Sequence, residues 1–389
     1  MQTTLETFVY GSENYPRFFI YDWSKKRAYF EFTKPEKSHF VKKVRDPIFG
    51  FVNVLLVGKP LNLEKREFEP LKFDWNELDE TQKEDKDKII KNTAILKSSI
   101  QKMVRRQKQV LALRSAYTLL YLKPEIFLRR LLVIMLEDVV IHRFFTELCW
   151  YMMAVPNYRL DMADFDFLMN MVYTLVDCQY HRSFRIADDK NKMDLGDMVD
   201  KMKKEYKKNI VNEIKQKEII DKMSLILAVY FREKFGGLEG DLKMMENIRN
   251  VLFNEWFVLN EEYDKDKKMD FIKIPAIKRI DDRDNNLREL GFQFLKLKEI
   301  DICSVDFHTC PEMVNYICQK LGGKDKFPDF RVKQIMWRQS SGINTRRNYK
   351  KQVETDKQKE EAYLWEKQIK PNWISWLKMN GPKVCHKAD

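Results

Sequence analysis

Cys303, Asp306, His308, Cys310 and Cys318 crowd into the stretch CSVDFHTCPEMVNYIC. Thiols, an imidazole and a carboxylate are the groups that hold zinc or activate a nucleophile. Their spacing, C-x4-H-x-C-x7-C, lacks the two close ligand pairs of a structural zinc site. Pro311 and Gly322 bracket a helix, which places Cys318 on it and away from the others unless the preceding loop folds back. A thiol–imidazole couple needs a thiolate stabilised by its neighbour; His308 and Cys310, two residues apart, leave that chemistry open. The competing reading makes Asp306 and His308 helix caps and the cysteines small core residues. Cys303, His308, Cys310 and Cys318 are thus weak metal candidates, and no metal or other cofactor is expected.

A second set of charges lies in LRRLLVIMLEDVVIH, residues 128–142. On a helix Arg130 and Glu137 share a face, as do Asp138 and His142. The positions between are Leu, Val, Ile and Met, so the helix reads as buried. Charges there must be paired or hydrogen-bonded. Arg129, Arg130, Glu137 and Asp138 are therefore expected to form a buried structural charge network. Paired carboxylates could also do acid–base work, but no second acidic cluster of suitable spacing lies nearby.

The clearest basic stretch is RVKQIMWRQSSGINTRRNYKK, residues 331–351. Arg331, Lys333, Arg338, Arg346, Arg347, Lys350 and Lys351 stand there without an acid among them. Trp337 and Tyr349 interleave. Cations that track phosphate and aromatic rings that stack on bases are the makings of a nucleic-acid surface. Arginines holding the C-terminal part onto the helices, or meeting an acidic protein, explain the same residues. Trp365, Trp373 and Trp376 follow, as core cover or, if exposed, an interface.

These groups need a scaffold. The chain has 389 residues, a formal net charge of +12 and 44% hydrophobic residues, enough for a substantial core and a bias towards acidic partners. RFFIYDW and RAYFEF flank SKK as a hairpin, and FGFVNVLLVG supplies a third strand. The period then becomes helical. Ile100, Val104 and Leu111 share a face, and Ala112, Tyr117 and Leu120 continue the pattern. Pro124 opens another helix, and Asp161, Asp164 and Asp166 precede or open the next. A lysine-rich stretch at 187–217 reads as a solvated helix or insertion. Helical pattern resumes from 218, with Gly236 and Gly237 as its C-cap. The expected fold is α+β and predominantly helical: a small N-terminal β-sheet, 1–75, a helical bundle, 89–260, and a mixed C-terminal region, 270–389. No apolar run reaches the ~18–20 residues of a membrane span, and the N-terminus has no secretory pattern. Six cysteines without an export signal read as reduced thiols. A cytoplasmic or nuclear setting is expected, or packaging in a virion.

SSIQKMVRRQKQVLALRSAYTLL followed by FLRRLLVIMLEDVVIH resembles the helical region behind the ATPase core of RarA/MgsA-type clamp-loader-like AAA+ proteins. Lys102, Arg105, Ala112, Ala116, Arg129, Arg130, Leu131, Ile134, Glu137, Asp138 and Val139 carry the resemblance. Val140 and Ile141 depart from it, where the family continues with Gly and Leu. It covers about residues 98–142. It implies arginines and acids tying neighbouring helices together, in a protein of replication or recombination. It does not bring ATP hydrolysis, because no G-x-x-x-x-G-K-[ST] phosphate loop occurs; LLVGKPL at 55–61 has only a lone Gly-Lys. A similar general look occurs among products of large DNA viruses and protists. The leading expectation is a non-catalytic nucleic-acid-associated protein in DNA replication, repair or genome handling. The alternatives are a structural or assembly protein, such as a virion or scaffold subunit, and an enzyme using Asp306, His308 and Cys310.

Overall fold

The computed structural model describes residues 15–59, 92–139, 141–142, 144–178, 193–209, 211–258, 280, 285–296, 299–304, 311–341 and 356–380. The fold is α+β and predominantly helical. Strands β1 (Phe18–Asp22), β2 (Arg27–Glu31), β3 (Ser38–Asp46) and β4 (Gly50–Val57) form one sheet in the order β2-β1-β4-β3. The helices that follow are α1 (Thr93–Arg105), α2 (Gln109–Leu122), α3 (Pro124–Asp138), α4 (Phe145–Ala154), α5 (Met162–Asp177), α6 (Leu195–Lys208), α7 (Glu213–Lys234) and α8 (Glu239–Phe253). After them come α9 (Asn285–Gly291), α10 (Pro311–Lys320), α11 (Asp329–Ser340), α12 (Asp356–Leu364) and α13 (Lys370–Asn380). Among the described residues no helix is long and apolar enough to cross a membrane.

Two compact units share the chain. One gathers residues within 1–68, 128–162 and 182–276; the other gathers those within 69–127, 163–181 and 277–389. Neither follows the chain in one piece, and α3 is divided after Phe127.

In the first unit the sheet is built on aromatic residues at alternate positions. Phe19, Tyr21, Phe30, Val52 and Val54 are buried. Phe30 stacks on Phe231 of α7, with ring centroids 5.4 Å apart, and Tyr21 meets Trp150 of α4 at 5.0 Å. Both expected hairpin strands are present, and β1 and β2 pair antiparallel from Phe18↔Glu31 to Asp22↔Arg27. The third apolar run is β4, which lies parallel to β1. β3 went unread because it is polar. Its SHFVKKVRD alternates too little apolar character to look like a strand, which is what an exposed edge strand requires.

The hydrogen-bond phase across the sheet follows from two bonds. Asn53 N–H donates to Arg17 O and Trp23 N–H donates to Val57 O, each at 2.8 Å. Odd-numbered residues of β1 and β4 therefore bond each other. The even-numbered ones face β2 and β3. In β2 this leaves Ala28 and Phe30, and just past its end Phe32, with their N–H groups on the outside. Each has a side-chain acceptor: Glu147 Oε1 on Ala28 at 3.2 Å, Ser224 Oγ on Phe30 at 2.9 Å and Glu31 Oε1 on Phe32 at 2.9 Å. The loop before β4 is fixed from the helix side. Asp46 Oδ1 accepts the N–H groups of Ile48 and Phe49, and its Oδ2 accepts the Tyr230 hydroxyl at 2.8 Å.

Lys-rich α6 is amphipathic rather than merely solvated: Leu195, Met198, Val199 and Met202 are buried. α7 ends where expected, with Gly236 at φ 79°, the left-handed region that glycine enters freely.

In the second unit the helical face expected to run on from Ile100 to Leu111 is broken. α1 stops at Arg105, Gln107 takes φ 56°, and α2 starts at Gln109. The two helices pack as a hairpin, with Ser99 and Ser115 hydroxyls 2.7 Å apart between them. A separate apolar cluster unites Cys303, Met313, Val314, Ile317, Cys318, Val332, Ile335, Met336, Leu364, Trp365, Ile369, Trp373 and Trp376. The three C-terminal tryptophans are thus core.

Glu147 gives the first unit a pH signature. Burial pushes its carboxyl up to about 8 from an ordinary 4.5. Between those values the folded chain keeps a proton that the unfolded chain has lost. The contribution of this group to stability is therefore fully present below pH 4.5 and is lost as pH rises to about 8, by up to ~1.4 kcal/mol per pH unit. Glu147→Gln keeps a neutral acceptor for Ala28. Relative to the parent, the variant is expected to gain stability steadily from pH 5 to pH 8.5 in denaturant unfolding. An equal difference at both pH values would refute the assignment.

Candidate nucleic-acid interface

At 100° per residue, α11 sorts its side chains cleanly. Val332, Ile335 and Met336 fall on one side and are buried in the cluster above. Phe330 and Trp337, two turns apart, crest the opposite side, 72% and 45% exposed. Gln334 lies between them, also exposed. Arg331 and Arg338 share one flank. Arg331 Nη2 donates to Glu360 Oε1 at 3.2 Å, and Arg338 Nη1 lies 2.7 Å from both carboxylate oxygens of Glu361. Both acids belong to α12. Lys333, half-buried, occupies the other flank.

The C-terminal end of α11 is held by α1. Arg105 Nη1 donates to Ser341 O at 3.2 Å, and Arg106 Nη2 to Gln339 O and Ser340 O at 3.0 and 2.8 Å. Guanidinium groups satisfy carbonyls that a helix end leaves without partners, and their charge suits its negative pole. The arginines that hold this helix end are Arg105 and Arg106, from outside the basic segment, while Arg331 and Arg338 of the segment pair with α12. Of the residues proposed to bind nucleic acid, Arg331, Lys333, Trp337 and Arg338 share this helix. Arg346, Arg347, Tyr349, Lys350 and Lys351 lie outside the described residues. Phe330 was missed, although a large ring opposite Val332 and Ile335 could have revealed it.

Cys303 and Cys318 lie in the same buried cluster. Cys318 Sγ donates to Asp329 Oδ1 at 3.4 Å, and Lys324 Nζ bridges the other oxygen at 3.1 Å. Burial, aided by Asp329 for Cys318 and Asp301 for Cys303, pushes both thiols up to about 11. A thiol raised in this way disfavours the thiolate that a nucleophile must be. Asp306, His308 and Cys310 lie outside the described residues. Among the described residues no group of three His, Cys, Asp or Glu side chains is placed to hold a metal.

The charge network of α3 belongs to the first unit. Asp138 is buried; Arg129, Arg130 and Glu137 are half-buried rather than enclosed. The fully buried cation is Arg232 of α7, 3% exposed, which sequence reasoning missed. Its Nε donates to Arg129 O at 3.0 Å and its Nη1 to Gly236 O at 2.7 Å. Burial, reinforced by the Arg129 charge, pulls this guanidinium down to about 10. Asp241 is pushed up, by burial first, against the pull of Arg130 and with a push from Glu137. The side of α3 bearing these charges therefore meets a mixed ionic cluster. Half-buried, Arg129, Arg130 and Glu137 keep part of their hydration beside these neighbouring charges.

The chain matches no family model, no curated protein and no solved structure.

Two stability effects are expected. Arg338→Ala strands the buried Glu361 carboxylate and should cost about 1–3 kcal/mol; the Arg338→Ala/Glu361→Ala pair should recover part of it in a double-mutant cycle, and strict additivity would show that the pair does not interact. Arg232→Ala removes the donor to Gly236 O and a second donor to Arg129 O, whose helical bond remains, and should lower stability by about 1–3 kcal/mol, whereas an unchanged denaturation midpoint would mean that water replaces the guanidinium.

Proposed function

We propose that this chain is a non-catalytic nucleic-acid-associated protein acting in DNA replication, repair or genome handling. The observation that carries the reading is the crest of α11. Phe330 and Trp337 stand exposed two turns apart, about 10 Å along the axis, with Lys333 beside them. Exposed rings on the polar side of a helix cost solvation unless something flat covers them, and unstacked bases are flat. Arg346, Arg347, Lys350 and Lys351 follow within a few residues in the sequence and supply charge for phosphates. The +12 net charge and the resemblance to clamp-loader-like helical regions agree with this setting.

A specific observation favours a second reading, an assembly or scaffold subunit. Arg331 and Arg338 already have carboxylate partners within the protein, so two of the cations are engaged in structure. On that reading the same crest meets another protein.

Binding to labelled single-stranded and duplex oligonucleotides across a salt series separates the two. Phe330→Ala and Trp337→Ala should each weaken single-strand binding by about 1–3 kcal/mol if the rings stack on bases. Replacing Arg346, Arg347, Lys350 and Lys351 with alanine should flatten the log affinity against log salt slope on duplex by about three to four units if all four touch phosphate. An unchanged slope in a folded quadruple variant removes this surface from the reading. No binding by the parent at low salt favours assembly.

A further inference from the structure

The two edges of the sheet are finished in opposite ways. On β2 and just past its end every outward N–H, those of Ala28, Phe30 and Phe32, has a side-chain acceptor. That edge is closed to another strand. On β3 the same hydrogen-bond phase applies. His39, Lys42, Val44 and Asp46 oppose the even-numbered Leu56, Val54, Val52 and Gly50, so their main-chain groups point at β4. Ser38, Phe40, Lys43 and Arg45 oppose odd-numbered Val57, Leu55, Asn53 and Phe51 and point outward. Among the described residues, no side chain bonds the outward main-chain groups of Phe40 or Arg45. Both residues are exposed, Phe40 to 61%.

We propose that β3 is the docking edge for an extended acidic segment of a partner protein, which adds to the sheet as a fifth strand. Main-chain pairing at an open edge gives such a segment its affinity, and the flanking side chains give it selectivity. Here those side chains are cationic. From Ser38 to Arg45 the strand carries the cations Lys42, Lys43 and Arg45, the imidazole of His39 and no acid. Asp46, at its end, is buried and occupied by Tyr230 and the turn amides. A second copy of β3 would set these cations against like charges across the ladder, which disfavours pairing. The irregularity between Phe40 and Lys42 further spoils self-pairing. Glutamate or aspartate at alternate positions reverses the sign of the cross-strand terms, and Phe40 offers an apolar contact beside them.

The test uses the full chain and a fluorescein-labelled ten-residue peptide alternating glutamate and valine, followed by anisotropy. Saturable binding is expected. Methylating alternate peptide nitrogens on the edge-facing side should weaken it at least tenfold at unchanged charge. Arg45→Pro removes an outward donor and no donor to β4, and edge strands accept proline at such positions; it should also weaken binding at least tenfold with the melting temperature retained. Should that variant misfold, Arg45→Glu serves instead, with preference shifted to a lysine–valine peptide. Absence of binding overturns the proposal, as does equal binding of the methylated peptide, which would reveal charge attraction without strand pairing. Displacement of the peptide by an oligonucleotide together with insensitivity to methylation would assign the edge to phosphate and overturn it likewise.

Discussion

A buried amide must have an acceptor, and a strand laid against helices cannot turn to water for one. β2 meets this constraint by borrowing Glu147 from α4 and Ser224 from α7. Those two bonds fix the height and rotation of both helices on the sheet. Tyr230 then reaches Asp46 across the same surface, and Arg232, half a turn on, closes α7 onto the main chain of α3. The aromatic stacking of Phe30 on Phe231 fills the space that these polar bonds frame. A carboxyl held neutral by burial is the acceptor that such a place tolerates, since an ionised one would need a cation beside it.

The second unit solves a similar problem at a helix end. Gln339, Ser340 and Ser341 would present bare carbonyls at the C-terminus of α11, and Arg105 and Arg106 supply the donors. Arg331 and Arg338 then clamp α12 along one flank. With α11 engaged by core, cap and clamp, its crest and the Lys333 flank are the parts left exposed or half-exposed among the described residues. Phe330 and Trp337 occupy that crest, so the reading of this surface rests on geometry and not on the count of basic residues.

Local periodicity made much of this legible in the sequence. The β1–β2 hairpin is visible in alternating aromatics around SKK, α3 in Pro124, and the end of α7 in Gly236. The burial of Cys303 and Cys318 follows from their apolar neighbours. What stayed hidden depends on partners distant in sequence. β3 is polar because one side of it is open, and an open edge leaves no apolar alternation to read. Arg232 looked like one charge among many on a long helix; its burial exists because the main chains of α3 and Gly236 converge on it. The charges of α3 likewise lie near Asp241 and Arg232, about a hundred residues downstream, which local periodicity cannot show. Phe330 is legible by helical phase, since it falls opposite Val332 and Ile335.

The placement of α7 on the sheet has a consequence for biosynthesis. The strands are complete at Val57, but the helix that covers Phe30 and Phe49 begins only at Glu213. At about 5–20 residues per second, a ribosome needs on the order of 10–30 s to make the chain between them. For that interval the nascent sheet lacks α7 over its aromatic face and Ser224 at its β2 edge, and for the first part of it lacks Glu147 as well. Such a species is prone to capture by other unfinished chains. Slowing translation between Val57 and Glu213, or withholding chaperones, acts on the yield of this protein without touching the stability of its finished fold.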